Sequence, residues 1–272
     1  MDLYGKRFIY AGTASSTYGL YISSITSSID TVVVGSASDS TFYGKKNIRK
    51  YILGTSWESS PRSFTVEMTR TSPFTNEELR AAERWLFKHN DYEKLYIDPD
   101  DDPDGITTER IDGVDKRLYL NCKLTNPSKL MYAGGVVGFT CTIECDSAFV
   151  WQDAITKTLE PANATNGVRW TISTEFDYVG FIYPRVVLLT GSTGGDITIV
   201  NNSDDSSRIT KFVSLPANQQ IVMNGAVNYI SGNNYIRFDG GNFVRFVDGS
   251  NVLNITGDVA SISVTWSNVR YM

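Results

Sequence analysis

Through much of the first half of the chain, apolar and polar side chains alternate. Phe64, Val66 and Met68 alternate with Thr65 and Glu67, and Leu118, Leu120, Cys122 and Leu124 with Tyr119, Asn121 and Lys123. Val137, Phe139, Cys141, Ile143 and Cys145 do the same against Gly138, Thr140, Thr142 and Glu144. Successive strand side chains point to opposite faces, so a period of two predicts strands with one buried face. One segment breaks the pattern. Leu79, Ala82, Trp85 and Leu86 recur three and four apart, with Arg80, Glu83, Arg84 and Lys88 on the other side, which predicts an amphipathic helix over about 75–89. Thr75 and Glu78 make a capping box at its start, and Phe74 and Leu79 a hydrophobic staple.

From about Trp151 onward the texture changes. Short β-type runs follow one another: Val168–Ile172, Ile197–Val200, Gln220–Met223, Tyr235–Phe238, Phe243–Val247 and Ser261–Trp266. Asn166-Gly167, Asn224-Gly225, Asp239-Gly240 and Asp248-Gly249 have the composition of type I′ hairpin turns. Many short strands with regular turn signals predict a sandwich or jelly roll. The change of texture places a boundary within 147–165, around Pro161, Ala162, Asn163 and Ala164. The expected architecture is mainly β: two tandem antiparallel sandwich-like domains, 1–148 with the helix and 149–272 without one. A length of 272 residues suits two domains.

Composition narrows the function. With 41% hydrophobic and 20% charged residues the chain is globular, and it needs neither disulfides nor metals as staples. The net charge of −5 argues against a dedicated nucleic-acid binder, whose phosphate contacts call for a basic surface. Acidic and basic residues are spread similarly over the two halves, 20 and 17 up to Val150 against 10 and 8 beyond it. Three cysteines (Cys122, Cys141, Cys145), with too few apolar residues in 1–12 for a secretory signal, point to reduced thiols and folding in a cytoplasm. No run approaches the about 18 apolar residues of a spanning helix, so no membrane insertion is expected.

Candidate chemistry is sparse. His89, the only histidine, falls at the end of the predicted helix, where it suits the last carbonyls and the negative dipole end. No nucleophile-elbow pattern accompanies it. Cys141 and Cys145 share a strand face but stand roughly 13 Å apart along it, which fits core packing and excludes a shared metal or a disulfide. The alternating aspartates Asp100, Asp102 and Asp104 before Gly105 resemble the first half of a Ca²⁺ loop. The position that would carry the bidentate glutamate is Ile111, and a solvated acidic loop is the simpler reading. Lys45, Lys46, Arg49 and Lys50, flanked by Tyr43 and Tyr51, form a basic cluster suited first to a solvated face, next to a protein contact and last to nucleic-acid phosphates. The cluster and the acidic loop are opposite in sign within one domain, and in a homo-oligomer such patches can meet across a subunit interface. Gly191–Gly195 reads as a turn, not a phosphate loop, because no helix opens after it. No catalytic residue and no cofactor is expected.

The order of several motifs adds a more specific expectation. Ser15-Ser16-Thr17-Tyr18-Gly19-Leu20-Tyr21-Ile22 follows a short strand, Phe8–Tyr10. Glu78, Leu79, Arg84, Trp85 and Leu86 on the helix precede Tyr92-x-Lys94-Leu95-Tyr96-Ile97, and Glu144–Trp151 closes the first half. Tyr183-Pro184, the stretch from Gly191 to Asn201, Val252–Gly257 and Val264-Thr265-Trp266 punctuate the second. In this order and spacing the chain resembles the distal tail (Dit) proteins of long-tailed phages. It departs from them within residues 24–60, where Gly35-Ser36 and Gly44-Lys45 stand in place of a Gly-Arg-Asp-Gly-type turn. The resemblance implies a structural, non-enzymatic virion protein at the distal end of the tail, assembled in the host cytoplasm. It implies a hexameric ring of N-terminal domains around a lumen through which DNA passes, and a galectin-like or carbohydrate-module-like C-terminal sandwich. Implied partners are the tail tube protein, the tail-associated hub protein, and a receptor-binding or tape measure protein. Two alternatives stand beside it: a tail tube protein, or an adhesion module gripping saccharide through Trp170, Tyr178, Tyr183 and Tyr229.

Overall fold

A computed structural model of the chain describes residues 7–26, 36–43, 50–58, 61–98, 108–111, 114–161, 167–177 and 180–270. The chain divides into two units, Met1–Asp153 with Arg270–Met272, and Ala154–Val269. In the first, β1 (Arg7–Tyr10), β2 (Thr13–Ala14), β3 (Tyr21–Thr26), β4 (Ser36–Tyr43), β5 (Lys50–Glu58) and β6 (Ser63–Thr69) precede helix α1 (Asn76–Phe87). After it come β7 (Glu93–Asp98), β8 (Thr108–Ile111), β9 (Val114–Tyr132), β10 (Gly135–Cys145) and β11 (Val150–Gln152). The main sheet runs β2-β1-β7-β9-β10-β6-β3, and β4 and β5 pair as a separate two-stranded ribbon.

The long strand β9 is the spine of this unit. It is 19 residues long because four strands share its edges. β8 pairs with Val114 to Arg117, β11 with Leu118 and Tyr119, β7 with Leu120 to Cys122, and β10 with Cys122 to Tyr132. The alternating residues of the sequence form one apolar face. Phe64, Val66, Met68, Leu120, Cys122, Leu124, Phe139, Cys141, Ile143 and Cys145 are all buried together with Ala82, Trp85 and Leu86 of α1. The helix spans Asn76–Phe87 with Thr75 as its cap. The Thr75 side chain accepts from the Glu78 amide at 3.2 Å while the Glu78 carboxylate accepts from the Thr75 amide at 2.9 Å. This reciprocal arrangement satisfies two otherwise orphaned donors.

Trp85 fixes the helix to the start of the chain. Its ring lies between Phe8, stacked at 5.7 Å, and Tyr18, stacked at 4.9 Å, and its Nε1–H donates to the Tyr10 carbonyl at 2.8 Å. The serine-rich motif makes this possible. Ser15–Tyr18 form one turn of 3₁₀ helix, closed by Gly19 at φ +66°. The Ser15 hydroxyl accepts from the Phe8 amide at 3.2 Å and its carbonyl from the Leu20 amide at 3.0 Å.

The second unit holds β12 (Ile155–Leu159), β13 (Val168–Thr174), β14 (Phe181–Ile182), β15 (Arg185–Thr190), β16 (Gly195–Asn201) and β17 (Ile209–Leu215). These are followed by β18 (Gln220–Asn224), β19 (Tyr229–Ile230), β20 (Phe238–Asp239), β21 (Phe246–Val247), β22 (Gly249–Thr256) and β23 (Val259–Trp266). They form sheets β12-β23-β15-β18-β19 and β13-β22-β16-β17-β20, with β14 and β21 as a short ribbon. Each large sheet buries one face: Val186, Leu188, Ile221, Met223, Ile262 and Val264 on the first, Ile172, Ile197, Ile199, Phe212, Leu253 and Ile255 on the second. Two one-sided sheets give the sandwich the sequence predicts.

Several local expectations are corrected. Of Tyr235–Phe238 only Phe238 is strand, opening β20; Gly232–Arg237 is a 3₁₀ turn with Tyr235 and Ile236 exposed. Buried Asn234 holds it, donating to the Ser231 carbonyl at 3.0 Å and accepting from Gln219 Nε2 at 2.9 Å. Within Phe243–Val247 only Phe246–Val247 is strand. Gly225 enters a 3₁₀ turn instead of a type I′ pair, and Asn228 (φ +49°) takes the left-handed position. Among the described residues, Ala11-Gly12 and Ala133-Gly134 are two-residue hairpin turns with both φ values positive.

Replacing Trp85 by alanine should destabilise the first unit by about 3–5 kcal/mol, the cost of emptying a buried aromatic site. Trp85→Phe, which keeps stacking area but drops the donor to Tyr10, should cost less. Urea midpoints of the two variants check this; equal midpoints would show that the indole N–H and the extra ring area contribute nothing.

Candidate functional site

Groups that could carry chemistry are engaged in structure. His89 Nε2–H donates to the Trp85 carbonyl at 2.5 Å, its Nδ1 lies 3.3 Å from the Glu93 carboxylate, and its ring meets Tyr10 edge-on at 5.3 Å. It therefore closes the last turn of α1. Cys122, Cys141 and Cys145 are buried free thiols. Burial pushes Cys141 and Cys145 up to about 12 and Cys122 well above its ordinary value, so none supplies a thiolate near neutrality. Among the described residues no three histidine, cysteine, aspartate or glutamate side chains gather to hold a metal. Asp100, Asp102 and Asp104 lie outside the described residues, as do Lys45, Lys46 and Arg49. Lys50 opens β5 opposite Tyr43, so the basic run joins β4 to β5.

The saccharide candidates separate. Trp170 is half-buried on β13 opposite Leu253, and Tyr183 is half-buried edge-on to Phe181 at 5.8 Å. Tyr229 is half exposed on β19, and Tyr178 lies outside the described residues.

What the fold does present is contact surface. In the first unit the β9–β10 hairpin ends in Met131 and Tyr132, 62% and 72% exposed. Its base is held down: the Arg70 amide donates to the Val137 carbonyl and the Phe74 amide to that of Val136, both at 2.8 Å. A bulge between Val136 and Gly138 accompanies these contacts. A Cβ at Gly138 would collide with the Met68 carbonyl, so close strand approach fixes that glycine. The tip is thus a rigid apolar projection that sequence alternation alone does not reveal, because Met131 and Tyr132 read as ordinary strand.

A second feature of this unit is polar. Asp153 accepts from Tyr96 Oη at 2.6 Å and from Arg117 Nε at 3.1 Å, with Lys94 Nζ 3.8 Å away. Arg117 lies over the Tyr96 ring at 4.5 Å and Lys94 over Tyr119 at 4.0 Å. Despite partial burial, which works the other way, these donors and cations hold the Asp153 carboxyl below its usual range.

In the second unit the Gly191–Gly195 turn is pinned from outside. The Asp258 carboxylate accepts from the Thr193 hydroxyl at 2.5 Å, the Thr193 amide at 2.6 Å and the Gly194 amide at 2.9 Å. A Cβ at Gly191 would run into that carboxylate. Asp204 grips Arg245 in a two-point bond, 2.6 Å and 2.9 Å, and Arg245 covers the Phe181 ring at 3.8 Å. Val227, Tyr229, Tyr235 and Ile236 leave apolar surface open on and beside β19 and the 3₁₀ turns that flank it. None of these groups is arranged as a nucleophile with a base, or as an acid–base carboxylate pair.

Two outcomes follow. A thiol reagent at pH 8 should leave the native protein unlabelled and label three cysteines after unfolding; labelling of the native state would contradict the burial. Hydrogen bonds, from Arg245 to Asp204 and from Thr193 to Asp258, are the largest cause of both depressed pKa values. A depressed carboxylate contributes stability that is present above its unfolded value of about 3.9 and is lost as pH falls through the folded value. Asp258→Asn should therefore flatten the acid limb of the melting-temperature profile and leave the profile at pH 6–8 parallel to wild type.

Comparison with known proteins agrees with this picture. A family model described as "phage tail protein N-terminal domain" matches residues 3–147. The crystal structure of the SPP1 Dit (gp 19.1) protein, described as a paradigm of the hub adsorption apparatus in Gram-positive-infecting phages, is similar with a TM-score of 0.61 and 9% identity. The match covers 96% of this chain and 98% of that one. A chain of the phage P2 baseplate in its activated conformation with Ca is similar at a TM-score of 0.50 and 8% identity, over 96% of this chain and 97% of that one. At such identities the likeness is one of fold. No curated protein sequence matches the chain.

Proposed function

We propose that this chain, which belongs to the phage tail protein family defined by that N-terminal domain, is a structural ring component of the distal tail. The observation that carries this reading is the extent of the fold match: both units together follow the SPP1 Dit protein from end to end. Six copies form a ring through their first units, at the end of the tail tube and against the hub of the tip. The ring leaves a channel for DNA, and the second unit serves as a platform for receptor-binding components. The protein has no catalytic role; its working parts are surfaces. The Met131–Tyr132 tip is one contact between subunits, because a rigid apolar projection of this kind is stabilised by a partner that removes it from water. The basic run Lys45, Lys46, Arg49 and Lys50 is another protein contact of the ring. Assembly takes place in the host cytoplasm, before the protein is carried in the virion.

Negative-stain micrographs of the purified protein test the reading. Six-fold rings support it, and a monomer at micromolar concentration would overturn it. Met131→Asp with Tyr132→Asp should abolish rings while leaving the melting temperature within about 2 °C of wild type, since surface changes rarely exceed ~0.5 kcal/mol. Rings that survive this double change would remove the tip from the interface.

A further inference from the structure

We propose that the solvent face of α1 is a socket for the aspartate run Asp98–Asp104 of a neighbouring copy of this chain. Arg80, Arg84 and Lys88 recur four apart, so their side chains form one row about 12 Å long on the outer face of the helix. All three are exposed, and none has an ion-pair partner among the described residues. Their stems, with Glu83 and half-buried Phe87, line a shallow cavity of about 230 Å³. Glu83 does not cancel the row, because Lys129 neutralises it at 2.7 Å. Glu77 contributes one acid at the first turn, where it suits the helix dipole, and leaves the face net positive.

Like charges four apart work against the helix that carries them. A chain of net charge −5 concentrates them here, on an element already anchored on its other side by Trp85. An acidic partner relieves that repulsion. The chain itself holds a fitting one. Asp98, Asp100, Asp101, Asp102 and Asp104 put five carboxylates in seven residues, more than any other window of this length. The six steps between Asp98 and Asp104 reach at most about 20 Å, enough to lie along a 12 Å row. Asp98 ends β7, paired with Arg7 on β1. In the ring inferred above a neighbouring subunit supplies the acids, and in a closed ring every socket receives one run.

Two charge reversals test this, Arg80→Glu/Arg84→Glu/Lys88→Glu and Asp100→Lys/Asp101→Lys/Asp102→Lys. Each should keep the wild-type circular dichroism melt and elute as monomer where the wild type elutes as ring. Mixed in equal amounts they should regain the ring volume, because alternating subunits then present complementary charges at every contact. Rings from either variant alone would overturn the proposal. So would a mixture that stays monomeric while one chain carrying both sets forms rings, since that marks a contact within the chain. Rescue of the aspartate reversal by Lys45→Glu/Lys46→Glu would overturn it too, moving the contact to the basic run. Fluorescence anisotropy with a labelled peptide of residues 97–105 separates this from failure of the ring reading. The peptide should bind wild type and lose at least tenfold in affinity on the helix variant. If it does so while wild type forms no ring, the socket stands and the ring falls; if it binds both proteins equally, the socket falls.

Discussion

The first unit depends on the burial of one tryptophan. Trp85 is the point at which a helix, a strand and a 3₁₀ turn from distant parts of the chain converge, with ring faces taken by Phe8 and Tyr18 and its N–H by the Tyr10 carbonyl. Its only donor is paired, so a large side chain can be buried at little polar cost. Once Trp85 is seated, the rotation of α1 is decided. Ala82 and Leu86 go into the core, and Arg80, Arg84 and Lys88 are left on the outside. The same contact that stabilises the unit thereby determines which charges it shows.

The sheet beneath follows from a backbone constraint. A 19-residue strand exposes donors and acceptors along both edges, and burying it requires a partner at nearly every position. Four strands share that task along β9. The period-two alternation of Leu118 to Leu124 and Val137 to Cys145 made the apolar face of this arrangement legible in sequence, because one buried face is all that such alternation encodes. The capping box at Thr75 and Glu78 was legible for a similar reason: its two hydrogen bonds are local and need no knowledge of the fold.

What stayed hidden depends on distant partners. Among the described residues, two-residue turns with both φ values positive fall at Ala11-Gly12 and Ala133-Gly134, where strand pairing forces an alanine into positive φ, whereas Asn224-Gly225 enters a 3₁₀ turn. Asp248 accepts from the Phe176 amide, and buried Asn234 bends Gly232–Arg237 into a 3₁₀ turn despite the β-type composition of Tyr235–Phe238. Asn251 is similar: fully buried, it ties Thr174, Val247 and Asn201 together, a role that only the folded sheet creates. Of the candidate sites, His89 and the cysteines were readable from position in an element. The Met131–Tyr132 tip was not, since exposure at a hairpin end is a tertiary fact.

The carboxylates held below their usual range are all engaged in structure. Asp258 spends its acceptors on a turn, Asp204 on Arg245, and Asp153 on Tyr96 and Arg117. Each carboxylate is held ionised and hydrogen-bonded, the reverse of the poised, raised acid that a general acid or base requires. The thiols are pushed in the opposite direction, away from the thiolate. Ionisable groups are thus used to make turns and edges rigid, and rigidity is what an assembly component needs: a tip or a charged helix face binds a neighbour with less ordering cost when its scaffold is already fixed.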